Sequence, residues 1–189
     1  RIVGNKLIGI HCHNDFGLAL ANTVSAVEAG VDLVDVTVNG LGERTGNASL
    51  DEVVIVLRLL YGMDLDIHTE KLSELSHVIE NFTGIRVPET KPLVGKNAFA
   101  HILDTHVMGM EKLEAMYEPF HPKIVGNRRR FPLGRLSGPF AIQKKLKELN
   151  LTFEEFKVPV LVDLVREKAE KLKREIEDFE FKELVNSLK

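Results

Sequence analysis

Two short apolar runs, separated by a helical segment, limit most strongly how this chain can fold. Residues 7–10 and 31–38 are rich in Leu, Ile and Val, and turn residues follow each run closely, as they follow buried strands. The segment 16–30 between them is rich in Ala, Leu and Val and ends at Gly30, a residue typical of a helix C-terminus. Strand, helix and strand with short joins predict a parallel βαβ unit.

Two histidines follow the first apolar run directly. Side chains two residues apart on a strand share a face, so His11 and His13 should point the same way and Cys12 the opposite way. Two neighbouring neutral imidazoles can bind one divalent metal ion. The alternative is that both rings only form hydrogen bonds to carboxylates or to the backbone, and the pair alone does not decide between the two.

A glycine-rich loop, residues 40–47, follows the second strand and ends at Asn47. Ligands of parallel α/β folds bind at the carboxyl ends of the strands, so this loop and the histidines should lie on the same side of the sheet. The amide of Asn47 is then a candidate metal ligand, with a simple loop or cap amide as the alternative. We expect Glu43 and Arg44 to brace the loop, and Ser49 with Glu52 to form a capping box for a helix over 50–61.

The rest of the chain, residues 62–189, is predicted to be helical and not part of a barrel. Helices are expected over 70–83, with Leu72, Leu75 and Ile79 as the apolar stripe, and over 137–149 and 159–178. The predicted domains are an α/β portion at 1–62, a linker subdomain at 63–110 and a helical C-terminal subdomain at 111–189. Two parallel strands do not form a stable sheet alone, so we expect the chain, which lacks an initial Met, to be part of a longer protein.

Composition argues for a globular protein of the cytoplasm. The net charge is −3 without a field of one sign, which argues against a nucleic-acid partner. No apolar run approaches the roughly 18 residues of a membrane span, and the single cysteine fits a reducing compartment. The basic run Arg128–Arg130 is a candidate site for a phosphate or carboxylate, although exposed charge runs are usually only solvated.

Two motifs in this chain resemble those of the alpha-isopropylmalate and homocitrate synthase family. They are His11-Cys12-His13-Asn14-Asp15 and the loop from Gly40 to Asn47, which reads Gly-Leu-Gly-Glu-Arg-Thr-Gly-Asn. The resemblance continues through Gly95–His101, His106 and Gly134–Gly138. Members of that family are metal-dependent TIM-barrel enzymes, so the resemblance implies an α/β chain that forms the C-terminal part of a (β/α)8 TIM barrel, followed by an all-helical linker and C-terminal subdomain.

The resemblance also assigns roles to residues. It makes His11, His13 and Asn47 ligands of a divalent Mg, Mn or Zn ion, with a further acidic ligand from a first strand that this sequence does not contain. His106 corresponds to a general base or its partner, often in a neighbouring subunit's site, and Tyr117 to a tyrosine on the same face. Leu103-Asp104-Thr105 departs from the Ser-Gly-Ile or Ala-Gly-Ile usual before that histidine.

The implied activity is that of an acyltransferase that condenses acetyl-CoA with a 2-oxo acid. The first candidate is 2-oxoglutarate, which gives homocitrate for lysine biosynthesis, and the alternatives are 2-isopropylmalate and citramalate synthesis. The implied partners are acetyl-CoA, the 2-oxo acid and a second copy of the chain in a homodimer that shares its active sites. A non-enzymatic alternative is a fragment that serves only dimerisation or assembly.

Overall fold

The computed structural model describes residues 4–188, which form two compact units. The first comprises the described residues up to Ala98 together with Pro122–Asn127, and the second comprises Phe99–His121 and the described residues from Arg128 onward. These units are defined by internal contacts, and the three predicted domains remain a prediction.

The predicted βαβ unit is present in the first unit. Strands β1 (Gly9–His11) and β2 (Leu33–Asp35) pair in parallel, with Ile10 opposite Val34, and helix α1 (Ala19–Glu28) connects them. Gly30 follows α1 with a φ of 88°, the left-handed conformation that ends helices. The strands are shorter than the apolar runs that predict them.

Two further helices complete the first unit. They are α2 (Leu50–Leu59) and α3 (Leu72–Thr83). The small core of this unit lies between the sheet, α1 and α2, and its buried members are Cys12, Ala19, Ala48, Val53 and Leu57.

Helices form the whole regular structure of the second unit over its described residues. They are α4 (Asp104–Lys112), α5 (Pro139–Glu148), α6 (Val158–Leu172) and α7 (Asp178–Ser187). A continuous apolar core joins them, and Val107, Ile142, Leu161, Val165 and Phe181 are completely buried in it. No helix within residues 4–188 has both the length and the apolar character to span a membrane.

Several local predictions are wrong. Ser49 does precede α2, but its hydroxyl makes no cap hydrogen bond because it contacts Asp51 and Lys91. Glu52 pairs with Lys91 instead of closing a capping box. Of the predicted stripe on α3 only Leu72 is fully buried, and two serines of this helix are buried as well.

The serines are satisfied by partners within the first unit. Ser73 donates to the carbonyl of Val125 at 2.7 Å, and Ser76 donates to the side-chain oxygen of Asn39 at 2.6 Å. Hydrogen bonding of this kind allows polar side chains to be buried without an energetic penalty that would unfold the helix.

The last two predicted helices have different limits. The helix predicted to begin at Ser137 begins at Pro139, which suits a first helical position because it lacks an N–H. The helix predicted over 159–178 ends early, at Leu172, because Lys173 adopts a left-handed φ of 54°, and α7 begins only at Asp178.

Candidate active site

The two histidines at the end of β1 face the same way, as predicted. Their Nε2 atoms are 3.3 Å apart and their ring centroids 4.9 Å apart, whereas Cys12 between them is buried in the core. This arrangement follows directly from the alternation of side chains along an extended backbone.

Asn47 lies directly opposite His13 in an antiparallel bridge. The bridge is part of a short ladder between the two loops, in which Asn14 donates to the Gly46 carbonyl at 2.9 Å and Ala48 donates to the Cys12 carbonyl at 3.1 Å. The structure therefore brings His11, His13 and Asn47 together.

Two buried polar atoms at this place have no hydrogen-bond partner among the described residues. They are Nδ1 of His13 and Oδ1 of Asn47, while the amide nitrogen of Asn47 donates to the Leu41 carbonyl at 3.2 Å. A buried acceptor without a partner is costly, and a bound cation would satisfy the Asn47 oxygen.

Glycine is required at two positions of the loop. A Cβ at Gly42 would lie 2.5 Å from Nδ2 of Asn47, so any side chain there would displace the amide. Gly46 has a φ of 85°, and a Cβ at this position would overlap the Gly40 carbonyl oxygen. The glycines therefore leave the space that the Asn47 side chain and the loop backbone occupy.

Arg44 braces the loop, although its main partner is not Glu43. Its Nε and one terminal nitrogen donate to the two carboxylate oxygens of Asp15, at 2.7 and 3.0 Å, whereas Glu43 is exposed and 3.9 Å away. The hydrogen bonds from Arg44 lower the pKa of Asp15 and correspondingly raise the pKa of Arg44. This pair links the loop that follows β1 to the glycine loop.

Asp35 is a residue of this site that the sequence interpretation missed. It is paired in register with His11 across the two strands, and its Oδ2 lies 2.7 Å from Nδ1 of His11. A carboxylate in this position fixes the tautomer and orientation of a metal-binding imidazole. The sequence signal for Asp35 was an acidic residue within an otherwise apolar strand. In the paired strands this residue lies opposite His11.

The three predicted ligands fit a divalent ion only as part of its coordination shell. Two imidazole nitrogens 3.3 Å apart suit a shared ion, since imidazole–metal bonds are about 2.0–2.1 Å long for zinc. Within residues 4–188, no cluster of three or more His, Cys, Asp or Glu side chains is placed to hold a metal.

The second unit contains the other predicted pair. The imidazole of His106 on α4 stacks on the ring of Tyr117, with centroids 4.2 Å apart and planes inclined by 27°. His106 is half-buried, and Tyr117, which follows the turn Glu114–Met116, is 40% exposed. The structure thus places both residues at one accessible position.

A buried ion-pair network stands beside this pair. Nε2 of His101 lies 3.0 Å from Glu118, and Arg129 donates two hydrogen bonds to the same carboxylate, at 2.9 and 2.6 Å. Burial raises the pKa of Glu118, but the hydrogen bonds from Arg129 and His101 outweigh it and leave this pKa below its usual value. The hydrogen bonds from Arg129 to Glu118 and Glu114 raise the pKa of Arg129.

The network accounts for much of the basic run. Arg129 is bound to Glu114 and Glu118, and Arg130 pairs with Glu175 at 2.7 Å. The cleft of about 360 Å³ beside the run is also lined by acidic side chains of the second unit. Two of the three arginines therefore stabilise the fold through internal ion pairs.

Known proteins and family models match most of this chain. A family model described as HMGL-like matches residues 2–79, and one described as homocitrate synthase post-HMGL domain-like matches residues 93–174. Similar relatives from Methanopyrus kandleri are a probable 2-isopropylmalate synthase, 50% identical over 87% of this chain, and a putative (R)-citramalate synthase, 51% identical over 82%. The homocitrate synthase AksA of the same organism is 47% identical over 82% of the chain.

The matches cover only part of each relative. The aligned region is 33% of the 2-isopropylmalate synthase, 30% of the citramalate synthase and 39% of the homocitrate synthase. The chain thus spans about a third of the length of the curated relatives it matches.

Proposed function

This chain belongs to the family of 2-isopropylmalate, citramalate and homocitrate synthases, and we propose that the protein containing it condenses acetyl-CoA with a 2-oxo acid in a metal-dependent reaction. The observation that carries the proposal is the convergence of His11 and His13, whose Nε2 atoms are 3.3 Å apart, beside the buried amide of Asn47. Few structural roles need two imidazoles and an amide with an unused oxygen at the end of one strand.

His11 and His13 would hold the ion through their ring nitrogens, and Asn47 through its amide oxygen. When bound, the ion supplies Lewis-acid polarisation of the ketone of the 2-oxo acid. Asp35 orients the His11 ring from behind, and the Asp15–Arg44 pair keeps the glycine loop closed over the end of β1.

His106 is the residue to which we assign proton transfer. An imidazole titrates near neutral pH and suits removal of a proton from the methyl carbon of acetyl-CoA. Tyr117 packs flat against this ring and fixes its plane. We propose that the pair serves an active site in a homodimer, in which one protomer's second unit contributes to its partner's metal centre.

The sheet supports a place within a larger barrel. Two strands of three residues form one parallel ladder, and Leu7 and Leu33 are 71% and 56% exposed although parallel sheets normally bury both faces. We propose that further strands and helices of the full-length protein pair with the sheet edges, cover these side chains and close a (β/α)8 barrel.

The first 2-oxo acid to test is 2-oxoglutarate, because the family model over residues 93–174 carries homocitrate synthase in its description. The experiment measures CoA thiol release by the full-length protein with acetyl-CoA and 2-oxoglutarate, 2-oxoisovalerate or pyruvate. Release that depends on one of these acids is expected. A folded protein that releases no CoA with any of them would leave dimerisation or assembly as the better account of the chain.

A further inference from the structure

We propose that Gly109 is a positioning residue that allows Tyr117 to stack on His106. The expected effect on catalysis rests on the proposed function. The structural part of the inference rests only on the contacts of α4 and of the turn that follows it. Gly109 lies one turn of helix after His106 and is buried.

The position excludes any side chain. A Cβ on Gly109 would lie 2.6 Å from Cε2 of Tyr117 and 2.8 Å from Sδ of Met116. Carbon atoms without a bond between them do not approach so closely, since contacts are favourable only near 3.5–4.0 Å. The ring of Tyr117 thus occupies the space that a methyl group at residue 109 would need.

The backbone does not require glycine here. Gly109 is within α4 and is absent from the residues of positive φ, so its conformation is open to any amino acid. Glycine is among the poorest helix formers, and alanine the best. The steric requirement of Tyr117 therefore explains the glycine better than the helix does.

The chain on both sides of Tyr117 is held in place, so the ring has few directions in which it could move. Leu113 donates to the Gly109 carbonyl at 2.9 Å, and the turn Glu114–Met116 then reverses the chain. The next residue, Glu118, is buried and anchored by Arg129 and His101. A methyl group at residue 109 would consequently rotate the Tyr117 ring away from His106 more readily than it would move the backbone.

The variant Gly109→Ala tests this in the full-length protein. Its crystal structure should show the His106 and Tyr117 centroids separated by clearly more than 4.2 Å, and kcat should fall by about 100-fold, as for a 1 Å misplacement at an active site. The thermal midpoint should change little, because the helix preference for alanine offsets much of the cost of moving the Tyr117 ring. A role limited to stability would instead lower the midpoint and leave the stack intact.

Two further variants make the result specific. Met108→Ala changes an exposed neighbour on the same helix and should leave the stack unchanged. Gly109→Ala combined with Met116→Ala removes the Met116 overlap, and the Tyr117 ring should still be displaced. An intact stack in the double variant would overturn the inference. A wild-type protein that is inactive on every 2-oxo acid would overturn the proposed function but not the steric role of Gly109.

Discussion

His13 and Asn47 lie opposite each other in an antiparallel bridge, although each belongs to a loop that follows a different parallel strand. The bridge exists because the glycine loop returns across the end of β1, where it hydrogen-bonds to Cys12 and Asn14. The position of the proposed amide ligand is therefore set by loop backbone rather than by sheet register.

Gly42→Ala should weaken metal binding. The new methyl group would overlap the Asn47 amide, which lies 2.5 Å from the site of a Cβ at this position. We expect Mn²⁺ affinity, measured by calorimetry on the full-length protein, to fall by about tenfold or more. Gly134→Ala is the control, because its Cβ would meet only Ile102 at 3.9 Å. Equal affinity in both variants would show that Asn47 is not a ligand.

Asp35→Ala should also weaken metal binding, by about 10- to 100-fold, since it removes the partner that orients His11 from 2.7 Å away. Asp35→Asn keeps an oxygen that accepts a hydrogen bond and should lose less affinity. If the alanine variant binds Mn²⁺ as tightly as the wild type, the carboxylate does not orient the ligand.

Lys91→Met should destabilise the fold. The side chain of Lys91 is 9% exposed, and its ammonium group lies 2.7 Å from Glu52, 3.5 Å from Asp51 and 3.0 Å from the hydroxyl of Ser49. Removal of the cation leaves the carboxylates of Asp51 and Glu52 without a positive charge beside them, and breaking a buried ion pair typically costs about 3–5 kcal/mol.

The matched control for this change is Lys71→Met. Lys71 and Glu74 form an exposed pair at 2.7 Å, and such pairs contribute about 0–1 kcal/mol. Urea unfolding of both variants gives the comparison. A loss of unfolding free energy at residue 91 no greater than at residue 71 would contradict the account of this cluster.

Glu118 should make stability depend on acid pH. Its pKa in the folded protein is below the usual 4.5, so the unfolded chain takes up the proton first as the pH falls. The stabilisation is complete above about pH 4.5 and is lost as the pH falls through the lower folded value. Glu118→Gln should flatten the slope of unfolding free energy against pH in this range. An unchanged slope would mean that the ion pair with Arg129 is not formed in solution.

Local pattern was enough to predict the βαβ unit, the shared face of His11 and His13, and the place of Asn47 beside them. Period-two alternation and glycine spacing are properties of contiguous sequence, so they can be recognised without a structure. The partners of these residues could not be predicted in the same way.

The missed contacts join residues far apart in the chain. Asp35 contacts His11 only because the two strands pair in one register. Lys91 binds Glu52, which was predicted to cap α2, only because a distant loop packs on the start of this helix. Gly109 and Tyr117 are only eight residues apart, but they meet through a chain reversal that a periodic pattern does not predict. Such contacts depend on tertiary packing, which overrides local preference.

The most direct test of the central claim is the metal dependence of acetyl-CoA condensation in metal-depleted full-length protein. The wild type should regain CoA release on addition of Mg²⁺, Mn²⁺ or Zn²⁺. His13→Ala should require on the order of 100-fold more metal or remain inactive, since loss of a ligand exceeds the 10- to 100-fold effect of outer-shell changes. His77→Ala, which alters an exposed histidine bonded to the Ser73 carbonyl, should behave as the wild type. Full activity without metal, or a His13→Ala variant with the metal dependence of the wild type, would contradict the account.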